Sequence, residues 1–94
     1  MRVISRKAIR EFATKHPDSL PSLSNWYAIT RRAAWKNLIE LQADFASADL
    51  VGRRTVFNIA GNKYRLIARV NHRIQRVYIL RIMKHDEYSK GEWK

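Results

Sequence analysis

Apolar residues recur at helical spacing through the first part of the chain and at strand spacing through the last part, so the pattern falls into two regimes. Val3-Ile4 reads as a short opening strand. Ser5 can then cap a helix over 6–15, in which Ala8, Ile9, Phe12 and Ala13 share a face. His16-Pro17 ends it, because the residue before proline is pushed out of the helical region. Asp18 or Ser19 can cap a second helix, with Pro21 in its first turn. Leu20, Leu23, Tyr27, Thr30 and Ala34 form that helix's mostly apolar stripe, and Arg31 and Arg32 complement its dipole at the C-terminal end. Both prolines lie in one connection, which predicts an antiparallel helix hairpin. A further turn or two of helix is expected over 35–41, and 44–52 reads as a loop.

Three runs rich in Val, Ile, Tyr and Phe follow, over 54–59, 63–70 and 76–84. The breaks at Ala60-Gly61-Asn62 and Asn71-His72-Arg73 are short enough for hairpins, so an antiparallel meander is expected. A last helical turn over 86–90 closes the chain. Strict alternation puts Tyr64, Leu66, Ala68 and Val70 on one face of the second run and Lys63, Arg65, Ile67 and Arg69 on the other. In the third run Tyr78, Leu80 and Ile82 oppose Val77, Ile79, Arg81 and Met83. The simplest assembly is α+β: the N-terminal helix hairpin packs on the apolar face of a small antiparallel sheet. The opposite face then exposes Lys63, Arg65, Arg69 and Arg81 on a floor of Ile67, Ile79 and Met83, since a core-facing arginine is improbable.

Ninety-four residues, 46% of them apolar, suit one domain spanning 1–94, with a helical half over about 5–50, the meander over about 53–85 and a short C-terminal turn. Without cysteine there is neither a disulfide framework nor a thiolate zinc site. His16, His72 and His85 lie too far apart for a helical metal pair, so no metal and no cofactor is expected. The N-terminus lacks the apolar stretch of a secretion signal. No run approaches the about 18 apolar residues of a membrane span, Val77 to Met83 being broken by Arg81. These features point to the cytoplasm and away from a membrane.

Charge changes the picture most. The net charge is +11, and between Leu50 and His85 there are nine Lys or Arg and no acid. Such a field attracts polyanions, above all nucleic acid.

The run Phe57-Asn58-Ile59-Ala60-Gly61-Asn62-Lys63-Tyr64-Arg65-Leu66 resembles a signature of the HigB-like toxins of toxin–antitoxin systems, within the RelE/ParE-like superfamily. There, a strand ending Phe-Asn turns through Gly-Asn into a strand bearing Arg. Val77-Tyr78-Ile79 and Met83-Lys84-His85-Asp86-Glu87-Tyr88 resemble that family's second block, a Tyr-Ile strand running into a His-x-x-Tyr turn. Lys84 stands where the family often has Thr. The opening Arg2-Val3-Ile4-Ser5 and the helix hairpin also fit. The resemblance implies helices on one side of a curved antiparallel sheet. It also implies cleavage of messenger RNA and neutralisation by a cognate antitoxin, usually a helix-turn-helix protein encoded beside the toxin.

RNA can be cut without metal if its own 2′-OH attacks the adjacent phosphate; the protein then moves two protons and neutralises the phosphorane. Arg65, with its bidentate fork, is the first candidate for holding the phosphate. His85 and Tyr88 are three residues apart, so on a helical turn they project to one side and can flank it. Lys84 can add charge. Lys63, Arg69 and Arg81 are candidates for RNA contact. Asn62 is a turn residue that joins the site if its amide points inward. Asp86 and Glu87 could offer a base but read first as exposed ion-pair partners, Trp26 and Trp35 as core, and Trp93, in a polar tail, as able to reach a partner. Two other readings use the same surface: a non-catalytic RNA- or ribosome-binding protein, and a toxin of this fold acting on a protein. The His85-x-x-Tyr88 placement favours the endoribonuclease.

Overall fold

The computed structural model describes residues 1–91 and 93. Strand β1 (Arg2–Ile4) leads into helix α1 (Arg6–Lys15), capped as expected by Ser5, whose hydroxyl accepts from Lys7 N–H at 3.2 Å. A 3-10 turn at Pro17–Ser19 carries the chain into α2 (Leu20–Arg32). Its buried side is Leu23, Trp26 and Thr30, while Leu20 remains 49% exposed, so the helix is rotated from the stripe read by spacing. The bulk of the Trp26 indole decides this, through an edge-to-face contact with Phe57 at 5.4 Å.

The next helix starts later than expected. Asn37 Oδ1 accepts from Glu40 N–H at 3.0 Å and caps α3 (Leu38–Asp44). Trp35 stays outside, buried, with its indole N–H on Asp44 at 2.8 Å. The expected loop over 44–52 is replaced in part by strand β2 (Asp49–Val51), which pairs along β3 (Arg54–Ile59). A two-residue turn joins them, and Gly52, with φ +63°, occupies its left-handed position.

Strands β4 (Tyr64–Asn71) and β5 (Arg76–Lys84) complete the meander, and helix α4 (His85–Ser89) follows. The sheet order is β1-β5-β4-β3-β2. β1 runs parallel to β5, so the sheet is mixed and not purely antiparallel. The α+β arrangement stands: Ile9, Leu23, Trp26 and Leu41 from the helices pack on Phe57, Ile59, Leu66, Ala68 and Val77.

One departure re-aims half of β5. Ile67 pairs with Arg81 and Ala68 with Ile79, which leaves Leu80 as the extra residue of a bulge. Beyond it the alternation flips. Val77 and Ile79 therefore face the helices, where strict alternation had put Ile79 in the floor of the outer face, while Arg81 and Met83 stay on that outer face.

The outer face is not bare. Val56, Ile67 and Met83 form a second core there, with Trp93 laid over them and Val51 and Tyr88 at its margin. Trp93 is 7% exposed, stacks on Tyr88 at 4.9 Å, and its indole N–H donates to the Tyr88 carbonyl at 2.9 Å. Arg54 Nη1 in turn donates to the Trp93 carbonyl at 2.9 Å. The tail tryptophan is a lid on the sheet, not a projecting contact. Trp93→Ala should lower stability by about 3 kcal/mol, seen as an earlier urea midpoint. An unchanged midpoint would show that the second core holds without it.

A candidate phosphate site on the outer face of the sheet

Arg65 lies mid-face, between Asn58 across β3 and Met83 across β5. Sequence reasoning expected it exposed; it is 8% exposed, because Tyr88 closes over it with its ring centroid 5.5 Å from the guanidinium carbon. A buried guanidinium has to be bonded. Nη1 donates to the carbonyls of Tyr64 at 3.1 Å and Asn62 at 3.3 Å, and Nη2 to Asn62 Oδ1 at 3.4 Å. Nε and the second Nη2 hydrogen make no bond among the described residues. That edge of the fork is the one left for an anion.

The turn that supplies Asn62 is unusual enough to explain its aim. Ala60 and Gly61 both adopt positive φ, +53° and +67°, and Lys63 N–H returns to the Ala60 carbonyl at 3.3 Å. This brings the Asn62 amide inward onto Arg65. His85 N–H donates to the Lys63 carbonyl at 2.9 Å, tying the start of α4 to the same turn.

Asn62, Arg65 and Tyr88 are thus brought together. Arg81 shares their face opposite Ile67, beside a cleft of about 160 Å³ lined by Met83, Glu87, Lys90 and Trp93. Arg69 is on that face too, opposite Tyr78 and further along the strand. His85 is exposed at the head of α4, and its imidazole makes no bond or ring contact among the described residues. Lys84 pairs with Tyr64 in register, which sets it on the helix side of the sheet, and its N–H donates to Glu87 at 3.3 Å. Lys63 also leaves the outer face: its ammonium sits 3.3 Å from Asp18. Sequence reasoning passed over Arg54, Asn58 and Tyr78. Alternation in β3 was the signal for the first two, since Val56 lies between them on the outer face.

Asp18 belongs to a separate cluster. The Tyr64 hydroxyl donates to it at 2.7 Å; that bond, and after it Lys63, hold its carboxyl below the ordinary 3.8 against an opposing effect of desolvation. The same bond raises the Tyr64 phenol. A depressed carboxyl contributes stability that is present above its unfolded value and lost as pH falls through the folded one. Between about pH 5 and about pH 3 the protein should therefore lose more stability than Asp18→Asn does, in paired urea titrations. Parallel losses would show that the cluster carries no such linkage.

Among the described residues no three His, Asp or Glu side chains converge on a point that could hold a metal, and no helix is long and apolar enough to cross a membrane.

Residues 20–91 match the HigB toxin family, described as the RelE-like toxic component of a toxin–antitoxin system, a class to which the α+β arrangement conforms. The chain belongs to that HigB toxin family. It is 34% identical to the mRNA interferase toxin HigB of Escherichia coli (strain K12), over 95% of this chain and 88% of that protein. It is 28% identical to the mRNA interferase HigB of Escherichia coli O6:H1 (strain CFT073), over 96% of this chain and 90% of that one.

Proposed function

We propose that this protein is a messenger-RNA endoribonuclease, acting in the cytoplasm as the toxin of a toxin–antitoxin pair. The observation that carries the reading is Arg65: buried, fixed by Asn62 and Tyr64 under the Tyr88 ring, with one edge of its fork unbonded, in a stretch from Leu50 to His85 that is basic and holds no acid. The name of the relatives, mRNA interferase, supports it.

In this mechanism a phosphodiester lies on the outer face with Arg65 on its non-bridging oxygens. The ribose 2′-oxygen attacks phosphorus and gives up its proton, the P–O5′ bond breaks, and the departing 5′-oxygen takes a proton. Arg65 stabilises the charge that grows on the phosphorane. His85 and Tyr88 carry the two proton transfers, and Lys84 at the strand end adds positive charge as the incoming strand is drawn in. Asn62 positions Arg65. Arg81 and Arg69 hold flanking phosphates, and Lys63 contributes to the general field. In this mechanism no step calls for a metal ion or cofactor bound by this chain. These roles are the same for a messenger that is free and for one on the ribosome.

Induction of this protein alone is expected to stop growth, and co-expression of its cognate antitoxin, expected to be a helix-turn-helix protein encoded beside it, to restore growth. Normal growth at high soluble expression would overturn the toxin reading.

A further inference from the structure

About 13 Å along β4 from Arg65, four residues at strand rise, Arg69 borders a second feature at the far end of the strand. A cleft of about 430 Å³ is lined by Arg69, Val70, Asn71, His72 and Tyr78. Arg69 and Tyr78 are direct cross-strand partners, so a cation and an aromatic ring stand side by side at its mouth.

The turn beside the cleft is held to the core by side-chain bonds. Gln75 Nε2 donates to the Trp35 carbonyl at 2.9 Å and to the His72 carbonyl at 2.8 Å, and Asn71 Oδ1 accepts from Arg73 and Ile74 N–H at 3.1 and 3.2 Å. Gln75 is held at φ +58°, a conformation that L residues rarely adopt and that these bonds sustain. His72 Nδ1 lies 3.0 Å from the Trp35 carbonyl oxygen. A carbonyl can only accept, so Nδ1 carries the hydrogen. In the neutral ring Nε2 is therefore an acceptor, fixed by a bond to a buried residue.

An aromatic face, an arginine and an oriented acceptor are the elements that recognise an unstacked base and its phosphate. We infer that the Arg69–His72–Tyr78 cleft is a nucleobase subsite for RNA a few nucleotides from the bond that is cut. Tyr78 stacks on the base, Arg69 holds the adjoining phosphate, and His72 Nε2 accepts from an exocyclic amino group. Adenine, guanine and cytosine carry such a group, whereas uracil offers only its ring N3–H, set back from that position, so the subsite disfavours uracil. This inference rests on RNA being the substrate.

The test is a binding scan with single-stranded RNA oligonucleotides that carry one 2′-deoxy nucleotide at the cleavage point and one abasic nucleotide at each other position in turn. For the unaltered protein, one position away from the cleavage point should weaken binding about tenfold when abasic. At that position the abasic change should make no difference to Tyr78→Ala, while Tyr78→Phe should behave like the unaltered protein. Uracil in place of adenine there should weaken binding about fivefold, an effect lost in His72→Phe. If the RNA is bound and its all-ribose counterpart is cut, but the scan is flat or identical in Tyr78→Ala, the subsite is overturned and the endoribonuclease reading stands. If the unaltered protein binds the RNA neither free nor on a ribosome, both fall.

Discussion

Replacing Arg65 by alanine should slow RNA cleavage by about 10²- to 10³-fold, the usual consequence of removing a positioned group that stabilises developing charge. It should also be felt in stability. On an exposed sheet face the change would be worth only about 0.5 kcal/mol. Here it leaves the Asn62 and Tyr64 carbonyls without their buried donor, so about 1–3 kcal/mol is expected. Arg65→Lys separates the two effects. It keeps the charge but cannot reproduce the fork that engages two carbonyls and the Asn62 amide while presenting an edge to phosphate. It should fold and cleave at a rate between wild type and alanine, with most of the loss in kcat and little in RNA binding. Wild-type cleavage by a folded Arg65→Ala would remove Arg65 from the chemistry.

A single 2′-deoxy nucleotide at the scissile position should abolish cutting while leaving binding nearly intact. In the proposed mechanism the nucleophile is the hydroxyl that has been deleted, whereas affinity would come mainly from phosphate contacts with Arg65, Arg69 and Arg81. The deoxy substrate also separates the readings that share this surface. A non-catalytic binder would hold both RNAs and cut neither, and a toxin aimed at a protein would discriminate between them not at all. Efficient cutting of the deoxy substrate would require a water nucleophile and sink the proposed mechanism.

Much of the frame was legible in the chain because local rules and tertiary demands agree there. Ser5 caps the helix it predicts, and Arg54–Ile59 and Arg76–Lys84 are strands to the residue. What escaped was set by contacts distant in sequence. Nothing local marks Leu80 as a bulge; it arises where Ala68 pairs with Ile79 instead of Leu80, and it turns Val77 and Ile79 toward the helices. The strand Asp49–Val51 is short and patternless by itself, and exists because β3 offers it an edge. Of the residues named for the candidate site, the structure brings some together and sets Lys63 and Lys84 apart. Arg65, Asn62 and Tyr88 do meet, but the expected open basic face is partly roofed by Tyr88 and Trp93. An aromatic in a polar tail looks available until apolar surface such as Val56, Ile67 and Met83 is found uncovered beneath it. Lys63 was assigned to the outer face by alternation, yet it precedes the first paired residue of β4, and Asp18 draws it the other way.

The central claim is tested most directly by giving the purified protein one end-labelled transcript, both free and in a translating extract, and identifying the ends of any fragments. The account predicts scission to a 5′-hydroxyl downstream and a 2′,3′-cyclic phosphate, or the 3′-phosphate derived from it, upstream. A transcript left whole in both settings by protein that arrests growth in cells, or fragments beginning with a 5′-phosphate, would contradict it.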